Sequence, residues 1–459
     1  MNCILSSSTS QITPGIVCYP ERLPGFLNVK SELNEDDGQL FYDIFGTQTL
    51  TESDWTCPDC SVKMHRHGSK ERILLHESKG EAWCRLHVTV IRFKCPHCGR
   101  THLQRLPYEV NGHRITTSLE QQVLKLLKAN NTSHKMIAAQ TGLNAHAIKE
   151  IDKKRLIDLY TEGGSCLIRP DHYVKRLGID EFKLHNGHQY ATHIIDLDTG
   201  YILWIAFGKR KQIVFDFISH VGMDWMEHVE AVACDMNAGF VSAFLDKCPW
   251  IIIAYDHFHI IKNFNDKVVA MVRKDEQRRL QEEGLQEEAR KLKRSRYVLL
   301  SSRASLAKKD KEGEQGKILK NGSVLFNREP LVAKSGHLKR YEKLLKENKL
   351  FFTLDVVKEQ LDEAFRTRDE DKMAECLRSI IETCKGTKNI HFEWFASLIE
   401  KHWDWIISHS VLGLSNGKIE GINNRIKTVR RMGYGYPDDE YFFLKLMDMS
   451  RNRPTQTLH

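Results

Sequence analysis

The chain reads as a multidomain α+β protein. Three observations predict this. Two Cys-Pro-X-Cys knuckles sit among short β-like runs, a stretch of helical periodicity follows, and apolar strand and helix patterns then alternate before a long charged helical region. With 459 residues, of which 41% are hydrophobic and 28% charged, the chain can bury several globular cores.

Residues 1–40 are rich in Ser, Thr, Pro and acidic side chains and are expected to be poorly ordered. The start lacks a basic segment followed by a long apolar core, so no signal peptide is expected. That places the protein in a reducing cytoplasm, where its 12 cysteines are thiols or metal ligands and not a disulfide framework. No apolar run is long enough to span a bilayer, so no membrane partner is expected.

Residues 41–110 hold the knuckles, Cys57-Pro58-Asp59-Cys60 and Cys95-Pro96-His97-Cys98. Four thiolates make a closed tetrahedral site, and a structural Zn²⁺ is the ion that suits it. Arg85 to Phe93 alternates polar with apolar residues, the period of a half-buried strand, and leads straight into the second knuckle as a zinc-ribbon hairpin would. Cys84, His65, His67 and His97 stand near enough in sequence to serve as substitute ligands.

Residues 111–165 switch to helical spacing. Leu119, Val123, Leu126 and Leu127 share one face; Thr132 or Ser133 can cap a second helix running through Gln140. Gly142 makes a turn, and Asn144 can cap a third helix with Ile148, Ile151 and Leu156 inward. Helix, short glycine turn, helix is the helix-turn-helix pattern, and the third helix is then the reader of a DNA major groove. Asn144, His146, Lys149, Lys153 and Lys154 are its candidate DNA contacts. A net charge of +8 is compatible with a polyanionic partner.

From about residue 172 the texture is α/β. Val174 to Phe182, Gln189 to Leu197 and Tyr201 to Phe207 read as strands, the first two joined by an Asn186-Gly187 turn. Phe215 to His228 reads as a helix; Val229 to Cys234 and Ile251 to Tyr255 read as buried parallel strands. Residues 261–410 are helical and charged, with a mobile loop expected over Lys308 to Asn321 and an amphipathic helical stretch over 353–384. The last helices begin near Ser415 and end near Met449.

Three carboxylates stand in unusual settings. Asp180 follows Leu177-Gly178-Ile179, and Asp235 follows Val232-Ala233-Cys234, each at the end of an apolar strand. A carboxylate there is costly unless paired, and two on adjacent parallel strands repel. A divalent cation resolves the conflict, and Mg²⁺ suits a site of one or two carboxylates with water and phosphate oxygens. Glu420 lies on a helix whose inward stripe is Ile419, Ile422, Ile426 and Val429; Asn424, Lys427 and Arg431 continue its own face, fitting a metal ligand beside a phosphate backbone.

These blocks, with Gly187-His188-Gln189-Tyr190, Asp256-His257-Phe258-His259 and Ser415-Asn416-Gly417-Lys418-Ile419-Glu420-Gly421, resemble those of bacterial insertion-sequence DDE transposases of the ISL3 family over roughly residues 55–450. The resemblance implies an RNase H-like catalytic core (residues 166–260 and 411–459) interrupted by a helical insertion at 261–410. It matches Asp180, Asp235 and Glu420 to the acidic triad, holding Mg²⁺ or Mn²⁺, with Asp256 and His259 in support. Asp256 is the competing assignment for the second catalytic acid. It also implies double-stranded DNA as partner, both transposon ends and target, and a homodimer or higher oligomer on that DNA. The rival readings are a non-enzymatic DNA-binding regulator of transposase shape and an RNase H-like metal-dependent nuclease.

Overall fold

A computed structural model describes residues 23–128, 132–187, 189–255, 257–412, 417–433 and 436–451. The chain divides into two compact units, residues 1–168 with 426–459, and residues 169–425.

The first unit opens on strands β1 (Phe26–Asp36), β2 (Gln39–Gln48), β3 (His65–Lys79), β4 (Ala82–Lys94) and β5 (Thr101–Leu103). They form one sheet in the order β1-β2-β4-β3, with β5 added to β4. The expectation of poor order through residue 40 therefore fails for β1; residues 1–22 lie outside the described set. The strand is polar because it is an edge strand, exposed along nearly its whole length. Its register comes from Asp37-Gly38, both at positive φ (49° and 75°), as a two-residue type I′ hairpin requires. β4 alternates as predicted, with Cys84, Leu86, Val88 and Val90 all buried against Leu74 and Tyr108.

Helices α1 (Thr117–Lys128), α2 (His134–Thr141) and α3 (Ala145–Tyr160) follow and pack through Leu119, Val123, Ile137, Ile148 and Ile151. Ser133 caps α2 by accepting from Met136 N, and Asn144 caps α3 by accepting from Ala147 N at 2.7 Å. Gly142 turns between them at φ 73°, and a Cβ there would fall 2.9 Å from the Trp83 ring, so only glycine fits.

The second unit is built on a sheet of β6 (Arg176–Lys183), β7 (Tyr190–Asp196), β8 (Ile202–Phe207), β9 (Ala231–Cys234) and β10 (Ile252–Tyr255). The order is β8-β7-β6-β9-β10. β6 pairs antiparallel with β7 and parallel with β9, and β9 pairs parallel with β10. Leu177, Ile179, Ile194, Val232, Cys234 and Ile253 form one core with Val214 and Phe217 of α4 (Gln212–Val221) and Phe240 and Phe244 of α5 (Ala238–Lys247). Several residues of opposite parity on these strands are small, among them Gly178, Ala191, Ala233 and Ala254. The helix expected over 215–228 ends at Gly222, whose φ of 80° stops it, and a single turn Met223–Met226 follows.

Helices fill most of the span from His257 to Leu412. The first half of the loop expected over 308–321 is helix instead, within Arg303–Glu314, and Ile318–Lys320 is a short strand. Lys and Glu are strong helix formers, Ser302 caps the start, and Asp310 accepts from His337 N and Leu338 N at 2.8 Å each. The stretch 353–384 is two helices, Lys349–Arg366 and Glu370–Gly386, the second capped by Asp369. At the core of this region Asp355 accepts from Tyr341 Oη at 2.7 Å and from Arg303 Nε at 2.8 Å.

Helix α6 (Gly417–Met432) begins in the second unit and ends in the first; α7 (Asp439–Arg451) belongs to the first. A Cβ on Gly178 would fall 2.8 Å from Ile419 Cδ1, so glycine at this position lets α6 lie close on β6. α7 is tied to α3 by a buried charge network: Asp152 accepts from Tyr441 at 2.7 Å, Lys445 at 2.9 Å and Arg155 at 2.8 Å, and Arg155 also holds Asp448. No helix among the described residues is long and apolar enough to cross a membrane.

Candidate functional site

In the second unit, strand register decides where the acids stand. Ile179 of β6 pairs with Cys234 of the parallel strand β9. Asp180 and Asp235 are each one residue further, so they occupy matching positions at the C-terminal ends of adjacent strands. Asp180 accepts from Glu181 N at 2.7 Å and from Asn423 Nδ2 of α6 at 2.6 Å. Asp235 accepts from Met236 N at 2.6 Å and pairs with His259 Nδ1 at 3.0 Å. Glu181 accepts from Asn237 Nδ2 at 2.6 Å, while Asn237 caps α5 with its other atom.

The electrostatics separate the two acids. Burial pushes the Asp180 carboxyl above its ordinary range, and the charge of Asp235 adds to that; Glu181 N, Asn423 and His259 oppose it. Burial acts on Asp235 in the same sense, but the His259 hydrogen bond and charge, with Met236 N and Lys262, bring it below its ordinary range. Glu181 is raised, first by burial. Two half-buried carboxylates held side by side are a donor set that a divalent cation fits.

The structure thus brings His259 to Asp235 and Asn423 to Asp180, with the two acids at matching positions on adjacent strands. Glu420 is exposed on α6, one turn before Asn423, and its carboxylate does not close with those of Asp180 and Asp235 into a set within 4.8 Å of one another. Asn424, Lys427 and Arg431 are exposed on the same helix. Asp256 lies outside the described residues. Asn423 escaped the sequence reading, although it stands among Ile419, Ile422 and Ile426 in a stripe that should be apolar, and a polar residue there calls for a partner.

In the first unit, the four knuckle cysteines converge. Cys57 Sγ lies 3.7 Å from Cys98 Sγ and Cys60 Sγ lies 3.5 Å from Cys95 Sγ. A tetrahedron with Zn–S bonds of about 2.3 Å has edges of about 3.8 Å, so the sulfurs fit zinc. The knuckles repeat one geometry: Ser61 N donates to Cys57 O, Gly99 N to Cys95 O, and Ser61 and Gly99 share a left-handed φ (57° and 71°). The Cys98 N–H beside the Cys95 sulfur holds that thiol down, to about 6, against burial. Of the substitute ligands, Cys84 is buried in the sheet core, and His65, His67 and His97 join no donor cluster among the described residues. His102, which the sequence reading passed over, does: its Nε2 lies 3.6 Å from Cys57 Sγ.

Of the third-helix residues, His146 and Lys154 are exposed, Asn144 is engaged as a cap, and Lys149 and Lys153 both donate to Asp438 at 2.9 Å.

Compared with known proteins, the chain matches a family profile described as "Transposase" over residues 177–446, more than half its length. The chain belongs to the ISL3 family of DDE transposases. A transposase for insertion sequence element IS1001 from Bordetella parapertussis is 28% identical over 362 residues, covering 79% of this chain and 80% of the relative. A transposase for insertion sequence element IS1557 from Mycobacterium tuberculosis is 22% identical over 284 residues, covering 61% and 62%. Membership in the ISL3 family implies DNA as the partner and a divalent metal in the chemistry, and the family profile spans β6 to α7, the acids included.

Proposed function

We propose that the chain is the transposase of an insertion sequence: it binds the terminal inverted repeats, cleaves DNA at the ends and joins the freed 3′-OH to target DNA by two-metal phosphoryl transfer. One observation carries the reading. Asp180 and Asp235 stand at matching ends of the two central parallel strands of a sheet ordered β8-β7-β6-β9-β10, in a chain of the transposase family. That order supports an RNase H-like core.

In this reading Asp180, Asp235 and Glu420 hold the ions. Mg²⁺ or Mn²⁺ bound there supplies an activated water and stabilises the departing 3′ oxygen. Water oxygen bonds to phosphorus at the element end as the P–O3′ bond breaks; the released 3′-OH then attacks a target phosphodiester in the same way. His259 keeps Asp235 charged and oriented, Asn423 does so for Asp180, and Glu420 of α6 completes the set of acids. Asn424 takes the DNA backbone beside them, and Lys427 and Arg431 are further DNA contacts on α6. The four cysteines hold structural zinc in the part that reads DNA ends, where His146 and Lys154 face outward while Lys149 and Lys153 must first leave Asp438.

The test is cleavage and joining of labelled element ends with Mg²⁺. Asp180→Asn, Asp235→Asn and Glu420→Gln each abolish cleavage and leave end binding intact. Near-wild-type cutting by any one removes that residue from the triad. Cutting without joining in the wild type would make the protein a nuclease.

A further inference from the structure

On the face of β6 that carries Gly178 and Asp180, α6 lies close: Ile419 stands over Gly178, and Asn423 donates to Asp180. Strand pairing puts His193 of β7 directly opposite Asp180, so the two side chains leave the same face with Cβ atoms about 4.5–5.5 Å apart. Ile205 of β8 pairs with His193 on its other side. The Phe182 ring packs against the imidazole at a centroid distance of 5.9 Å. His193 is fully buried.

Nδ1 and Nε2 of His193 are both buried without a hydrogen-bond partner, and so is Oδ1 of Asn423. Buried polar atoms are as a rule paired, with protein or with ordered water, so three unpaired ones in the layer around one acid call for a common explanation. Their chemistry is complementary. Burial pushes the His193 imidazole down to about 4, so it is neutral and offers one N–H donor and one bare nitrogen. Asn423 Oδ1 is an acceptor that lacks a donor. His193 therefore differs from His259, which bonds its acid directly. Asp180 has Oδ1 engaged by Glu181 N and Oδ2 by Asn423, so its orientation depends on which way the Asn423 amide points. An amide with an unheld oxygen can turn over, and the turned amide sets that oxygen against the carboxylate.

We propose that His193 is a positioning residue for Asp180 that acts through Asn423: one buried water accepts from the imidazole N–H and donates to Asn423 Oδ1, which holds the amide with its NH2 group on Asp180. An enclosed place with a donor on one side and an acceptor on the other is what a buried water requires. This rests on the reading of Asp180 and Asp235 as metal-binding acids.

The experiment measures Mn²⁺ binding by the full chain without DNA, and end cleavage by the same proteins. His193→Phe keeps a ring against Phe182 and loses the nitrogens. It weakens Mn²⁺ binding about tenfold and lowers kcat for cleavage by about the same factor with KM for DNA unchanged, the usual effect of losing a residue that orients a metal ligand. His193→Leu does the same and covers the case that the Phe variant misfolds. His193→Gln restores an N–H without the ring and stays within about threefold of wild type. In the Asn423→Ala protein the relay is already cut, so His193→Phe weakens binding by less than about twofold more. Wild-type Mn²⁺ affinity in His193→Phe or His193→Leu overturns the role. So does His193→Gln binding as weakly as His193→Phe, or a His193→Phe effect of full size in the Asn423→Ala protein. The underlying reading fails separately. Mn²⁺ binding that Asp180→Asn and Asp235→Asn leave unchanged removes the acids as ligands, and His193 with them; binding lost in those two and kept in His193→Phe removes His193 alone.

Discussion

Gly178 sits on β6 two residues before Asp180, directly beneath α6. A Cβ built there would stand 2.8 Å from both Ile419 Cδ1 and Leu197 Cδ2, and 3.0 Å from Ile419 Cγ1. Ordinary contact begins near 3.4 Å, so both side chains must retreat by about 0.6 Å, and overpacking of this kind costs about 1–3 kcal/mol. Gly178→Ala therefore destabilises the second unit by that amount. Ile419→Val removes one of the two clashing carbons at a cost of its own of about 0.5–1.5 kcal/mol. The double variant is then less destabilised than the sum of the singles by about 1 kcal/mol, the rescue being partial because Leu197 still clashes. Urea denaturation of the four proteins of this cycle measures the coupling. Because Glu420 follows Ile419 and Asn423 lies one turn on, Gly178→Ala also cuts end cleavage well beyond its loss of stability, a misplacement near 1 Å being able to cost about a hundredfold. Additive stabilities within about 0.5 kcal/mol, or full cleavage by Gly178→Ala, would refute the close seating of α6 on β6.

Three further outcomes are expected. The purified chain carries one zinc per molecule, and chelation or Cys95→Ser lowers the melting temperature of the part containing β1–β5, since structural zinc contributes about 10–16 kcal/mol and small domains hold only about 5–15; metal analysis with thermal melts decides, and an unchanged melt after zinc loss counts against a structural role. His259→Gln lowers end cleavage by about ten- to a hundredfold with near-normal end binding, the usual cost of removing a residue that orients a metal ligand; an unchanged rate at limiting Mg²⁺ would show that His259 only packs. Burial lowers the Lys358 ammonium from 10.5 to about 8, so the unfolded chain binds more protons between those values and stability rises with pH across that window, by at most about 1.4 kcal/mol per unit. Below pH 8 the penalty is fully present, and Lys358→Met flattens the slope measured by urea midpoints from pH 7 to 10; an identical slope in the variant removes Lys358 as its source.

The sequence carried most of the elements because their signals are local. Asn144 and Ser133 mark helix starts as caps, and the alternation from Arg85 to Phe93 is the strand it predicts. β1 was hidden because an exposed edge strand has no apolar face to read, although Asp37-Gly38 announced its hairpin. For the site, the acids were legible for a physical reason: a carboxylate ending an apolar strand must have a partner. Applied to α6, the same reasoning points to Asn423, a polar residue in the stripe of Ile419, Ile422 and Ile426, which bonds Asp180 across 243 positions of chain. Charges on open faces carry no such constraint. Lys149 and Lys153 look like free DNA contacts from their helix alone, yet both are held by Asp438, 289 and 285 positions away. His102 reaches Cys57 by the same kind of distant pairing, through β5 on β4. A polar residue where the pattern demands burial thus identifies its own importance. A charge where the pattern permits solvent is assigned only by the fold, and for Lys149 and Lys153 the fold makes DNA and Asp438 competitors for the same two ammonium groups.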